Sequence, residues 1–133
     1  MSAGILIRSP EPADLPALSA LLAAEQFGDD AARRLRGGYE HIRQFSLIAM
    51  SEARLKGALL ATFNGWHVFA SHLAVVPSAR RQGIARQLVE TLSDRAREAG
   101  AKAIIADARL SAVGFCHALG FRVPGAVFLI RDL

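Results

Sequence analysis

The chain has 133 residues, a formal net charge of +4 and a pI near 10.2, a length that suffices for a single domain, residues 1–133, with a real core. Apolar residues make up 52% and the mean hydropathy is +0.26, yet charges interrupt every apolar run short of the ~20 residues a membrane helix needs, and MSAGILIRSP is too short in apolar core for a secretory signal. One cysteine allows no intramolecular disulfide and makes a reducing cytoplasm the simplest setting, while dispersed arginines without aromatic interleaving do not point to nucleic acid as the primary partner.

Ile5 to Arg8 reads as a first strand, ended by Pro10 and Pro12, which cannot sit inside a ladder. Asp14 is placed to cap a helix with Pro16 in its first turn. Leu15, Leu18, Leu21 and Leu22 recur at helical spacing, which predicts a helix to about Glu25. A weaker helix follows from about Asp30, with Leu35, Tyr39 and Ile42 on one face and Gly37-Gly38 interrupting it. Phe45 to Met50 and Leu55 to Phe63 read as strands. Asn64-Gly65 marks a hairpin, because both positions tolerate positive φ. The returning strand runs from about His67 to Val76 and stops at Pro77.

The stretch LAVVPSARRQGIARQL, Leu73 to Leu88, then passes from apolar strand through a basic turn with one glycine into an amphipathic helix. A helix N-terminus leaves backbone N–H groups unpaired and carries partial positive charge. Gly83 lets an anion approach the backbone, and Arg80, Arg81 and Arg86 add full charge around it. Ile84, Leu88, Leu92, Ala96 and Ala99 form the apolar stripe of the helix, with Gly100 at its end. Ala103 to Ala108 reads as a buried strand, so strand–helix–strand implies a right-handed crossover between parallel strands. Ser111 is placed to cap a last helix carrying Val113, Cys116 and Leu119 and ended by Gly120. Phe121 to Val123 and Ala126 to Arg131 read as two short strands around Pro124-Gly125.

The turn Arg80-Arg81-Gln82-Gly83-Ile84-Ala85, preceded by Leu73-Ala74-Val75, resembles the Gln/Arg-x-x-Gly-x-Gly/Ala signature of the GNAT family of acyl-CoA-dependent N-acyltransferases. Ala112 to Phe121 resembles the family's Ala-x-x-Phe-Tyr-x-x-x-Gly-Phe. The resemblance implies an α/β fold of α+β type, with a mixed, mostly antiparallel sheet of about six to seven strands and about four helices, in the order β-α-α-β-β-β-α-β-α-β-β. It implies acetyl-CoA as cosubstrate, no metal and no membrane. The turn Arg81 to Arg86 would wrap the coenzyme's pyrophosphate, with Arg80, Gln82, Gly83, Ile84 and Ala85 part of that wall. The backbone of Leu73, Ala74 and Val75 would pair with the pantetheine arm as an extra strand. The acyl group would sit where the fourth and fifth strands splay apart, with a backbone N–H near Val75 donating to the thioester carbonyl. Ser111 stands near the place of an asparagine that contacts the coenzyme in many members.

The acceptor amine must lose a proton, and the leaving thiolate benefits from one. Many members place a tyrosine near the leaving sulfur. The matching residue here is Cys116, either a proton donor, since a thiol with pKa about 8.5 is mostly protonated at neutral pH, or a small packed helix residue. His72, His67, Glu25 and Asp107 are candidate bases. His72 adjoins the Leu73–Val75 segment and is of the type that titrates near neutral pH, but the face it occupies is not legible from the sequence. The expected function is direct acetyl transfer to a primary amine of a small molecule or protein. The alternatives are an acyl-CoA-binding sensor without turnover, which the missing tyrosine favours, and action on an RNA-bound amine, which the basic pI permits. Glu25, Asp29, Asp30 and Glu40 are candidate acceptor-side carboxylates. The apolar VFLI segment either pairs across a homodimer or lies inside the sheet.

Overall fold

A computed structural model describes residues 4–133. Strand β1 (Leu6–Arg8) leads through a 3-10 turn at Pro12–Asp14 into α1 (Leu15–Ala24), then α2 (Ala31–Ile42). A meander follows: β2 (Leu47–Ser51), β3 (Arg54–Phe63) and β4 (His67–Val75). Helix α3 (Ile84–Glu98) crosses to β5 (Ala103–Ala106), and α4 (Val113–Ala118) comes last. Among the described residues the sheet has five strands in the order β1-β2-β3-β4-β5, antiparallel except for the parallel β4–β5 pair joined through α3. That is the mixed, mostly antiparallel sheet and parallel crossover expected. The two final strands expected at 121–123 and 126–131 are not formed, so the sheet stops at five strands, and every residue from Arg122 to Leu133 is exposed.

The sheet carries a core on each face. Leu47, Ala49, Leu59 and Val68 pack with Ile84, Leu88 and Leu92 of α3. Ile48, Ala58 and Leu60 pack with Leu18, Leu21 and Leu22 of α1 and Leu35 of α2. The near-continuous burial of β2 and the middle of β3 follows from this two-sided cover.

Local expectations change in three further places. Helix α2 runs unbroken through Gly37-Gly38. Each glycine costs about 1 kcal/mol relative to alanine, and tertiary contacts offset it: Ala31 and Leu35 are buried, and the Tyr39 hydroxyl donates to the Pro10 carbonyl at 3.0 Å. Asp14 stands at the start of α1 but makes no cap bond to it. Its carboxylate instead accepts from the Glu11 N–H and the Arg8 guanidinium, which holds it below the usual carboxylate range. Ser111 lies in an exposed 3-10 turn (Leu110–Ala112), and Ala112, without a side-chain bond, starts α4. The hairpin forms as expected, with Gly65 at φ +98° and the Asn64 side chain accepting from the N–H groups of Trp66 and His67.

Candidate functional site

The site is built by one extra residue in β4. The β3–β4 ladder pairs Leu60 with His72 but Ala61 with Ala70, leaving Ser71 unopposed. This β-bulge resets the alternation of side chains. Before it, Val68 and Ala70 face the α3 core; after it, Leu73 and Val75 keep that side while Ala74 packs with α1 and α2. His72 shares the parity of Ala74 and meets Phe27 edge-on, ring centroids 4.7 Å apart. The bulge also ends pairing with β5, whose ladder runs from His67↔Ala103 only as far as Ala70↔Ala106. From Ser71 to Val75, β4 therefore presents a backbone edge with no strand beside it among the described residues.

That gap is a cavity of 350 Å³. His72, Asp107, Phe27, Phe115 and Cys116 line it. The His72 Nδ1 lies 2.8 Å from Ser71 Oγ, which lies 3.4 Å from the Leu60 carbonyl. A hydroxyl has one proton. With that proton donated to Leu60, Ser71 accepts from Nδ1–H, and the lone pair of His72 is left on Nε2. Burial lowers the His72 pKa below its ordinary value, and the negative charge of Asp107 opposes part of that shift.

Beyond β4 the chain makes a 3-10 turn (Pro77–Ala79), and the backbone then enters the left-handed region twice, at Arg81 (φ 65°) and Gly83 (φ +78°), before α3. Such residues turn successive N–H groups toward a common concavity that suits an anion. Gly83 starts α3 without a side-chain cap, and the first turn of α3 has no acidic residue. Gly57 sets where α3 begins. A Cβ there would lie 3.0 Å from Ile84 Cγ2 and 3.1 Å from the Ala74 carbonyl, so glycine lets the helix start seat on the sheet beside the end of β4.

The three arginines divide. Arg80 bonds the Val75 carbonyl (3.2 Å) and Glu25 (2.7 Å), tying the end of α1 to the turn. Arg86 donates to the Ala118 carbonyl at 2.7 Å and holds the end of α4 against α3. Arg81, exposed, makes no side-chain hydrogen bond among the described residues. Gln82 is exposed, Ala85 half-buried and Ile84 buried. Leu73, Ala74 and Val75 form the end of β4. His67 sits at the opposite end of β4, paired with Ala103, and the hydroxyl of Tyr39 is occupied at Pro10. The cavity lining thus brings together Glu25, His72, Leu73, Asp107 and Cys116, while Ala74, Val75, the turn from Arg80 to Arg86, His67 and Ser111 lie outside it. Sequence reasoning missed Ser71, Phe27, Phe115 and Gly57. Only a polar residue directly before a strand histidine hinted at Ser71, and nothing local marked the others.

Residues 15–129 match the family model described as an acetyltransferase (GNAT) domain. No curated protein matches the chain. Among solved structures the chain is similar to aminoglycoside N-acetyltransferase AAC(6')-Iy in complex with CoA, with 23% identity, 99% of this chain and 97% of that one covered, and a TM-score of 0.83. The same enzyme in complex with the bisubstrate analogue CoA-S-monomethyl-acetylneamine gives 25% identity, 98% and 99% coverage and a TM-score of 0.79. A transcriptional regulator from Bacillus halodurans C-125 gives 20% identity, 97% and 100% coverage and a TM-score of 0.81.

Proposed function

The chain belongs to the GNAT acetyltransferase family, and from that premise we propose that it is a single acetyltransferase domain moving an acetyl group from acetyl-CoA to a primary amine of a small molecule or protein. The observation that carries this reading is the unpaired β4 edge, Ser71 to Val75, which opens beside the 350 Å³ cavity and runs on toward the Arg81–Gly83 turn. An extended arm laid on that edge gains main-chain hydrogen bonds as an added strand would. A phosphate group at its far end meets the N–H groups of Arg81 to Arg86 and the free guanidinium of Arg81. A CoA complex of AAC(6')-Iy with a similar fold, and the same enzyme with a bisubstrate analogue, support the choice of ligand.

In this reading acetyl-CoA supplies an activated thioester carbonyl, and the chain supplies position and proton traffic. The backbone of Leu73, Ala74 and Val75 aligns the arm, and an N–H near Val75 donates toward the carbonyl oxygen. His72, with Nε2 free and Nδ1 held by Ser71, takes the proton of the attacking amine. Its lowered pKa keeps the imidazole neutral, the form a base needs. Asp107 at the cavity favours a cationic acceptor approaching it, whereas the charge of Glu25 is paired with Arg80. Cys116 lines the cavity where the leaving sulfur departs.

Thiol release from acetyl-CoA across a panel of primary amines tests the proposal. Release with at least one amine is the expected result. Tight coenzyme binding without release for any amine would establish the sensor instead, a reading that Cys116 in the tyrosine position favours.

A further inference from the structure

The cavity beside β4 carries two charges that the chain itself does not use. Asp107 and Arg109 both line it, and both are exposed. Neither takes part in an ion pair among the described residues. They follow β5 at a separation of two residues, so their Cα atoms lie at most about 7 Å apart. The third charged residue of the lining, Glu25, is already paired with Arg80 at 2.7 Å. The free charges of the cavity are therefore one carboxylate and one guanidinium, which sum to zero.

Most of the remaining lining is apolar, and it includes the rings of Phe27 and Phe115, the latter 53% exposed. At 350 Å³ the cavity is small, near the lower end of ligand pockets at roughly 300–1,000 Å³, and the acetyl thioester of the proposed reaction must share it. A polycationic amino sugar would meet a single free carboxylate, a guanidinium that repels it and few polar partners for its hydroxyls. An apolar amine would answer Asp107 but not Arg109. A small zwitterion with an apolar body answers both. Asp107 also lies near enough for its charge to act on His72, so the two groups converge on one nitrogen.

We propose that the acceptor is a free α-amino acid with an apolar side chain, its ammonium held between His72 and Asp107, its carboxylate on Arg109 and its side chain against Phe27 and Phe115. The assignment rests on the transferase reading, which places the reacting nitrogen at His72. In an α-amino acid a single carbon separates the two charged groups, a spacing that suits a carboxylate and a guanidinium anchored this close together. The planar guanidinium takes a carboxylate through two parallel hydrogen bonds and so fixes the direction of the amine. The ammonium yields one proton to His72 Nε2. Its nitrogen forms the C–N bond as the C–S bond breaks, and the second proton it sheds goes to the leaving sulfur. The products are an N-acetyl amino acid, coenzyme A as the thiol and one proton that His72 returns to water.

L-phenylalanine and L-phenylalaninamide differ in the charge at the carboxyl carbon and test the assignment directly. The amide holds less of its amine as ammonium at neutral pH, so intrinsic reactivity alone favours it. The wild-type chain is expected to prefer the acid at least about tenfold, both in kcat/KM for thiol release and in calorimetric affinity for the chain saturated with coenzyme A. Arg109→Gln is expected to erase that preference with coenzyme A affinity unchanged, and Arg109→Lys to keep part of it. Preference for the acid in binding, with no thiol release from any amine, upholds the zwitterion site and removes the transfer reading. An amide bound as well as the acid, no binding of either, or a preference that survives Arg109→Gln overturns the proposal. So does an Arg109→Gln chain that loses coenzyme A affinity and leaves the acid-to-amide ratio intact, since Arg109 would then belong to the coenzyme.

Discussion

Arg81 occupies the left-handed region at φ 65°, where a side chain costs about 1–2 kcal/mol, two positions before a glycine that occupies it freely. The Arg81 side chain is exposed and makes no side-chain hydrogen bond among the described residues, which leaves it available to the phosphate in the proposed reading. Arg81→Gly is expected to raise stability by up to about 1 kcal/mol in urea denaturation and to weaken coenzyme A binding about tenfold in calorimetry. Unchanged affinity would remove Arg81 from the phosphate site. His72 gives a second prediction at this scale. Its folded pKa lies below the ordinary 6.5, chiefly through burial, so its neutral form is favoured by folding. The stability it contributes is fully present above pH 6.5 and is lost as pH falls from there through the depressed folded value. His72→Ala is expected to flatten that part of the stability profile and to remove the acid limb of the kcat/KM profile. An unchanged rate profile would exclude it as the base. The residue types at this site were legible, but the face of His72 was not, because a one-residue bulge inverts the parity of everything after it.

At the scale of elements, the seating of α3 decides whether the turn can work. Gly57, three elements away in sequence order, leaves room for Ile84 at the first position of that helix. Gly57→Ala places a methyl 3.0 Å from Ile84 Cγ2 and 3.1 Å from a backbone carbonyl that cannot yield cheaply. The expected cost is about 1–3 kcal/mol, with coenzyme affinity falling although residue 57 lies outside the turn. A stability loss with affinity intact would mean that the helix start holds its place. The same contrast separates the elements that were read well from those that were not. α1, α3 and the meander follow from spacing within each segment. Propensity alone makes Gly37-Gly38 an interruption of α2, whereas the burial of Leu35 and the bond from Tyr39 to Pro10 come from contacts with other elements. Apolar content predicts the final strands, yet a strand exists only when an edge pairs with it.

For the whole molecule, the sheet acts as a wall between two cores. Leu92 of α3, fully buried against the sheet, and Ile48 of β2, fully buried under α1 and α2, belong to separate clusters. Leu92→Ala is expected to cost about 3–4 kcal/mol and Ile48→Val about 1 kcal/mol. The double variant should cost their sum within about 0.5 kcal/mol, measured by chemical denaturation. A larger coupling would show that the two faces are not independent. Helices α1 and α2 thus rest on a core of their own, and Arg80 bridges the end of α1 to the turn before α3 through Glu25.

The order of strand, basic turn and helix from Leu73 to Leu88 was written in the chain itself, as were the hairpin and the crossover. These depend on periodicity, a glycine and a proline within a few residues of one another, and local spacing records such things completely. The cleft was decided elsewhere. Its opening needs Ser71 to be unopposed by β3 and β5 to stop at Ala106, and the register of three strands is a property of their pairing. The partners of Arg80, the ring of Phe27 on His72 and the unpaired state of the last apolar segment arise the same way, from contacts between residues far apart in sequence that no single segment encodes.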